Sequence, residues 1–196
     1  SAANYIKGLE KSTAASSDLV ASEEKKYQAE YNDILAMRGT ENPFLLHDEM
    51  GVLMTENVTV VRENSKLEKT LDILKEFKER YKNINCTDQS ANGNQTALHI
   101  RRLKYMMDLA ELITAGALAR NESRGAHYKP DFPERNDEEW LKTTIGTYSE
   151  NGPILSYEDV ELTHIKPVKR VYDVDTSSGK GKELAEKEAT ASEEGK

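Results

Sequence analysis

The sequence predicts a mainly α fold: an antiparallel three-helix bundle of the spectrin-repeat kind with an additional short N-terminal helix, followed by an extended loop and a small β-hairpin. Apolar residues recur at steps of three and four through most of the first 120 residues. Capping residues punctuate that pattern, and beyond Gly125 the period falls to two.

The N-terminal helix follows Ser16, Ser17 and Asp18 and carries Leu19, Val20, Tyr27, Tyr31, Ile34 and Leu35, with Gly39 as its stop. Asn42 and Pro43 form an N-cap and first-turn pair for the next helix, whose stripe of Phe44, Leu46, Met50, Leu53 and Met54 runs to about Glu56. Val58 to Arg62 either prolongs it or makes a short extended joint. In the third, Ser65 and Glu68 form a capping box, and Leu67, Leu71, Leu74, Phe77 and Tyr81 follow as a core stripe. Each of these, once buried, contributes roughly 1.5 to 3 kcal/mol. The lysines and carboxylates between them read as a solvated face with pairs one turn apart.

A polar connection from Asn83 to Gly93 leads to the longest helix, about Thr96 to Asn121, with Leu98, Arg102, Met106, Leu109, Ala110, Ile113 and Ala117 at helical spacing. Its Ala-rich second half, with Gly116, lets another helix approach closely, and Met106 and Met107 fill core gaps. The alternation from Trp140 to Thr147, the turn signal Asn151-Gly152-Pro153 and the run Ile154 to Val160 predict the hairpin. The last residues, 173–196, rich in Ser, Gly, Glu, Lys and Ala, read as a disordered or frayed charged tail.

With 37% hydrophobic and 32% charged residues, the core is modest and the surface heavily solvated. A formal charge of -8 argues against a nucleic-acid partner, which needs clustered Lys and Arg. There is no apolar run of bilayer length and no signal peptide, and the one cysteine, Cys86, permits neither an internal disulfide nor a four-cysteine cluster. Those features point to the cytoplasm. The chain has no Gly-x-Gly-x-x-Gly turn to cradle a dinucleotide, and His47, His99, His127 and His164 lack the spacing of a zinc helix. No metal and no cofactor site is expected.

The densest chemistry lies between Arg120 and Lys142. Arg120, Arg124, His127, Lys129 and Arg135 supply donors, while Glu122, Asp131, Glu134, Asp137, Glu138 and Glu139 supply acceptors, and Pro130 and Pro133 keep the backbone extended. One reading is local: Gly125 stops the long helix, and Arg124 and His127 sit at its negative end. The other is docking: Ser123, Arg124, His127, Lys129 and Arg135 meet another protein surface through charge-assisted contacts.

The run Asn121-Glu122-Ser123-Arg124-Gly125-Ala126-His127 and the later Asp131-Phe132-Pro133-Glu134-Arg135 resemble signatures in the C-terminal region of succinate dehydrogenase and fumarate reductase flavoprotein subunits. Asn42-Pro43-Phe44, His47 to Gly51, Met54 to Arg62, and Ile165-Lys166-Pro167 with Arg170 and Tyr172 extend the likeness over about residues 3 to 172.

The resemblance implies that the chain is a fragment whose flavin-binding and capping domains lie upstream. Residues 1–15 are then the exit from the flavin domain, 16–125 the bundle domain and 126–172 the extended segment with its hairpin. It also implies a parent enzyme that oxidises succinate to fumarate through FAD and passes electrons by an iron–sulfur subunit to quinone. The parent complex is peripheral on the cytoplasmic face of the membrane, held there through an anchor subunit. The family's catalytic and flavin-linked residues match no position here, so no catalytic or cofactor-binding residue is expected and the fragment itself is a scaffold, inactive alone. Fumarate reductase and L-aspartate oxidase are the nearest alternatives, and a free-standing helical adaptor is the reading from a different class.

Overall fold

The computed structural model describes residues 17–164 together with 5, 7, 167 and 168. Apart from Tyr5 and Lys7, the expected flavin-domain exit therefore lies outside the described residues, as do the charged tail and most of the stretch from Ile165 to Tyr172. In order come α1 (Ser17–Leu35), α2 (Pro43–Val58), α3 (Asn64–Tyr81), α4 (Gln95–Ala119), the one-turn α5 (Asp137–Trp140), β1 (Lys142–Thr147) and β2 (Ile154–Asp159). Backbone contacts place the helices and the hairpin in one compact unit, which ends at Asp159.

Helices α2, α3 and α4 pack on one another, and α1 lies against α4. The N-terminal helix is not short: α1 has 19 residues and α2 only 16. Its C-terminal half makes the contact, with Ile34 buried and Arg101 of α4 pairing with Glu30 at 3.1 Å while standing over the Tyr27 ring. Leu19 and Val20, further up the helix, are exposed.

The core joins Ile34, Leu46, Met50, Leu74, Phe77, Ile84, Ile100, Leu103 and Met107. Ion pairs brace it across the seams. Arg80 of α3 reaches Glu41 and Glu49, and Lys78 reaches Asp108 and Glu111 of α4, so the charged face of α3 is partly interhelical rather than wholly solvated.

Local signals fare unevenly. Asn42 caps α2 as read, its Oδ1 accepting from the Phe44 N–H at 2.9 Å. The Ser65 and Glu68 capping box does not form: α3 starts at Asn64, Glu63 is the cap residue without a side-chain cap bond, and its carboxylate pairs with Lys66 instead. Gly39 is not the stop of α1, which ends four residues earlier. It lies where the two interhelical connections pair, its N–H donating to the Ile84 carbonyl at 3.0 Å.

The largest correction concerns α4. Its buried face is Ala97, Ile100, Leu103, Met107, Ala110, Thr114 and Ala117. Of the expected stripe, only Ala110 and Ala117 are buried, while Leu109 and Ile113 are 56% and 51% exposed and Met106 points outward too. The physical reason is contact with three other helices: the face they enclose, which holds Ile100, Leu103 and Met107 between alanines, is set by their positions and not by side-chain size.

The hairpin is antiparallel, with Lys142 opposite Asp159 and Thr147 opposite Ile154. Trp140 closes α5 rather than opening β1, and its ring meets Tyr157 edge-on at 5.5 Å. Gly146 lets β1 lie on α4, since a Cβ there would stand 2.2 Å from Leu112 Cδ1.

Candidate docking site

The segment after α4 folds back on the bundle through its own charges. Helix α4 ends at Ala119, and Gly125, with φ of 60°, serves a tight turn in which Arg124 and His127 exchange backbone hydrogen bonds of 2.8 and 3.0 Å. It is therefore the turn residue of this loop and not the stop of the long helix. Left-handed backbone suits a residue without a Cβ.

Glu122 is the hub. Its carboxylate is fully buried and accepts from Arg120 at 2.6 Å, from Arg124 at 2.8 and 3.0 Å, and from the Asn136 N–H at 3.0 Å. Burial alone would raise its pKa, but the donors from Arg124, Asn136 and Arg120 outweigh it, and the net shift is downward. Arg120 also donates to the carbonyls of Trp140 and Lys142 and lies over the Trp140 ring, so one guanidinium ties the end of α4 to α5 and β1.

Arg124 reaches onward to Asp137 at 2.6 Å, and Arg135 grips the same carboxylate, which is held well below the usual carboxylate range mainly by that Arg135 contact. Ser123 fixes the loop's waist: its Oγ donates to the Phe132 carbonyl and accepts from the Lys129 N–H at 2.9 Å.

Two cations stitch the loop to helix ends. Lys129 is fully buried, and its Nζ donates to the Leu118 carbonyl at 2.8 Å and to Asn121 Oδ1 at 3.0 Å, satisfying a carbonyl in the last turn of α4. Burial pushes its pKa down to about 8, with nearby Arg62 adding to the fall and Asp131 opposing it. Arg62 does the same for α2, donating to the Val58 and Thr59 carbonyls and to His127. A short bridge between Val61 and Tyr128 completes the seam, so Val58 to Arg62 is the end of α2 followed by an extended joint.

All five candidates therefore share one folded loop, with their polar groups directed into it. Its outward face carries Tyr128, Pro130, Asp131, Phe132, Pro133 and Glu134. Arg62, which anchors the loop from 65 positions upstream of His127, was invisible to spacing, because its partner is reached only through the fold. Its only sequence signal is its place at the end of the Met54 to Arg62 run.

The described residues hold no dinucleotide cradle of the strand-to-helix kind. Their one sheet is a two-stranded antiparallel hairpin, with no strand-to-helix crossover whose N-terminus could cradle a pyrophosphate. Among them, no three His, Cys, Asp or Glu side chains converge as metal ligands, and no helix is long and apolar enough to cross a membrane.

Residues 47–172 match the family model described as fumarate reductase flavoprotein C-term. The chain belongs to that family. It is 49% identical over 87% of its length to the succinate dehydrogenase flavoprotein subunit of Bacillus subtilis, and covers 30% of that relative. With the fumarate reductase flavoprotein subunit of Haemophilus influenzae it shares 38% identity over 77% of its length, covering 25% of that protein. The fold is similar to that of a mutant E. coli quinol fumarate reductase flavoprotein, with a TM-score of 0.76 and 32% identity over 83% of this chain and 28% of the other. This family member thus spans under a third of the length of the relatives it matches.

Proposed function

We propose that this chain is the C-terminal scaffold and docking domain of a succinate dehydrogenase flavoprotein subunit, in which succinate is oxidised to fumarate through FAD held upstream and electrons pass through an iron–sulfur subunit to quinone. The observation that carries this reading is the Glu122-centred network, which locks Ser123 to Arg135 into one shape while leaving Tyr128, Asp131 and Phe132 facing outward. Preformed polar and aromatic surface of this kind suits protein contact. The partners would be the flavin and capping domains or the iron–sulfur subunit, with the membrane reached only through an anchor subunit on the cytoplasmic face.

The test uses the full-length flavoprotein with its partners and two kinds of variant. Arg124→Glu breaks the network and should impair assembly and quinone-linked electron transfer. Tyr128→Ala, which keeps the backbone bridge to Val61, changes only the outward face and should do so without lowering thermal stability. Unchanged assembly and electron transfer in both variants would remove the docking role.

Fumarate reductase is the second reading, favoured by the similarity to the Haemophilus influenzae and E. coli proteins. The direction of catalysis is set by flavin potential and quinone, which reside outside these residues, so comparing succinate oxidation with fumarate reduction in the assembled enzyme separates the two.

A further inference from the structure

The chain contains two Asn-Gly pairs, Asn92-Gly93 and Asn151-Gly152, both in exposed turns, yet the fold treats them differently. At the hairpin turn the Gly152 N–H donates to the Ser149 carbonyl at 3.2 Å, and Ser149 Oγ donates to the Gly152 carbonyl at 2.6 Å. The turn is closed on both sides of that peptide. Before α4 the loop is held up to Ala91, where the Tyr31 hydroxyl meets the Ser90 and Ala91 carbonyls, and again at Asn94, whose Nδ2 donates to the Asp88 and Ser90 carbonyls. Between those anchors, Asn92 and Gly93 make no hydrogen bond with any described residue. Gly93 has φ of 67°, and nothing lies within 4 Å of where a Cβ would stand.

From this difference we propose that Asn92 is a site of spontaneous, fold-selected deamidation, and that Asn151 is protected by its turn. In the reaction the Gly93 backbone nitrogen, after losing its proton to solvent base, attacks Asn92 Cγ. A C–N bond forms, the Cγ–NH2 bond breaks and ammonia leaves, giving a cyclic imide. Water then opens the ring at either carbonyl, producing aspartate or its backbone-extended isomer. Glycine at the following position leaves the attacking nitrogen unshielded. At Gly152 the same nitrogen is already engaged as a donor, so attack requires the turn to open first.

The product matters for α4. Asn94 is its N-cap, with Oδ1 accepting from the Ala97 N–H at 2.8 Å. The aspartate form places a new negative charge two residues before that cap, on the side where the helix dipole favours it. The isomer lengthens the backbone there by one methylene and shifts the cap.

The test is peptide mapping by mass spectrometry after incubation of the purified chain at mildly alkaline pH, native and in urea. In the native protein Asn92 should convert at least about fivefold faster than Asn151, the factor one net hydrogen bond supplies, and in urea the two rates should converge. Asn92→Ser should abolish the one-mass-unit gain in the Ala91 peptide, and Ser149→Ala should speed conversion of Asn151. Equal native rates, or faster conversion at Asn151, would overturn the proposal.

Discussion

Arg62 Nη1 donates to Nδ1 of His127 across 2.5 Å, and the opposite ring nitrogen lies 3.1 Å from the Arg120 carbonyl oxygen. A guanidinium can only donate and a carbonyl can only accept, so the imidazole must be neutral with its proton on Nε2.

That assignment fixes a pH response. Burial lowers the His127 pKa below its ordinary 6.5, and Arg62, Lys129 and Arg120 add to the fall against the hydrogen bond to Arg120. The unfolded chain therefore takes up its proton first as pH drops, so stability declines from about pH 6.5 down to the depressed folded value. His99 is shifted the same way by burial and contributes with the same sign. Urea midpoints between about pH 7 and pH 5 should fall for the wild type and fall less for His127→Gln. Nitrogen NMR should show Nδ1 without a proton at neutral pH, and a protonated Nδ1 there would contradict the tautomer.

The helices were legible because their periodicity and the Asn42 cap are local, whereas the face of α4 was not. Two stripes wind along that helix, and Leu109 and Ile113 lie on the one left exposed, although they match the buried Leu103 and Ile100 in size. Only knowledge of the surrounding helices selects the stripe of Ala97, Ile100 and Leu103. The charged loop shows the same division. Its wealth of donors and acceptors was readable, but that Lys129 would be fully buried against Leu118 and Asn121 depends on where the chain returns after Gly125.

Two glycines should respond oppositely to alanine. A Cβ on Gly39 would stand 1.8 Å from the Asn83 carbonyl oxygen, which belongs to backbone and cannot swing away. Gly39→Ala should therefore part the paired connections and cost about 3 kcal/mol or more. Gly51 lies inside α2 with nothing within 4 Å, so Gly51→Ala should add about 0.5 to 1 kcal/mol through helix propensity. Chemical denaturation reads both signs, and a neutral Gly39→Ala would mean that the connections separate freely.

Glu122→Gln keeps the shape of the hub but removes its charge, leaving Arg120 and Arg124 facing a neutral amide. Since the carboxylate is fully buried, the loss should be about 3 kcal/mol, near the lower end for breaking a buried pair because Arg124 retains Asp137 and some exposure. A double-mutant cycle with Arg124→Gln should show coupling above about 1 kcal/mol. Additive losses would show that the two side chains act independently.

Lys129 offers the clearest separation of charge from packing. Its pKa of about 8 lies below the ordinary 10.5, so from about pH 8 upward the unfolded chain holds a proton that the folded chain releases, and stability rises with pH. Two groups oppose this at higher pH: burial raises the Cys86 thiol, and burial with Glu30 and Tyr105 pushes Tyr81 up to about 12. Both cancel when wild type is compared with Lys129→Met. At neutral pH that variant loses the donor to the Leu118 carbonyl, a cost of about 1 to 3 kcal/mol, partly offset by no longer burying a charge. Between about pH 7.5 and 9 the wild type should gain stability relative to Lys129→Met, approaching about 1 kcal/mol. A constant difference over that range would mean that Leu118 and Asn121 hold Nζ charged throughout, and that acceptors at the end of α4 outweigh the burial of the ammonium.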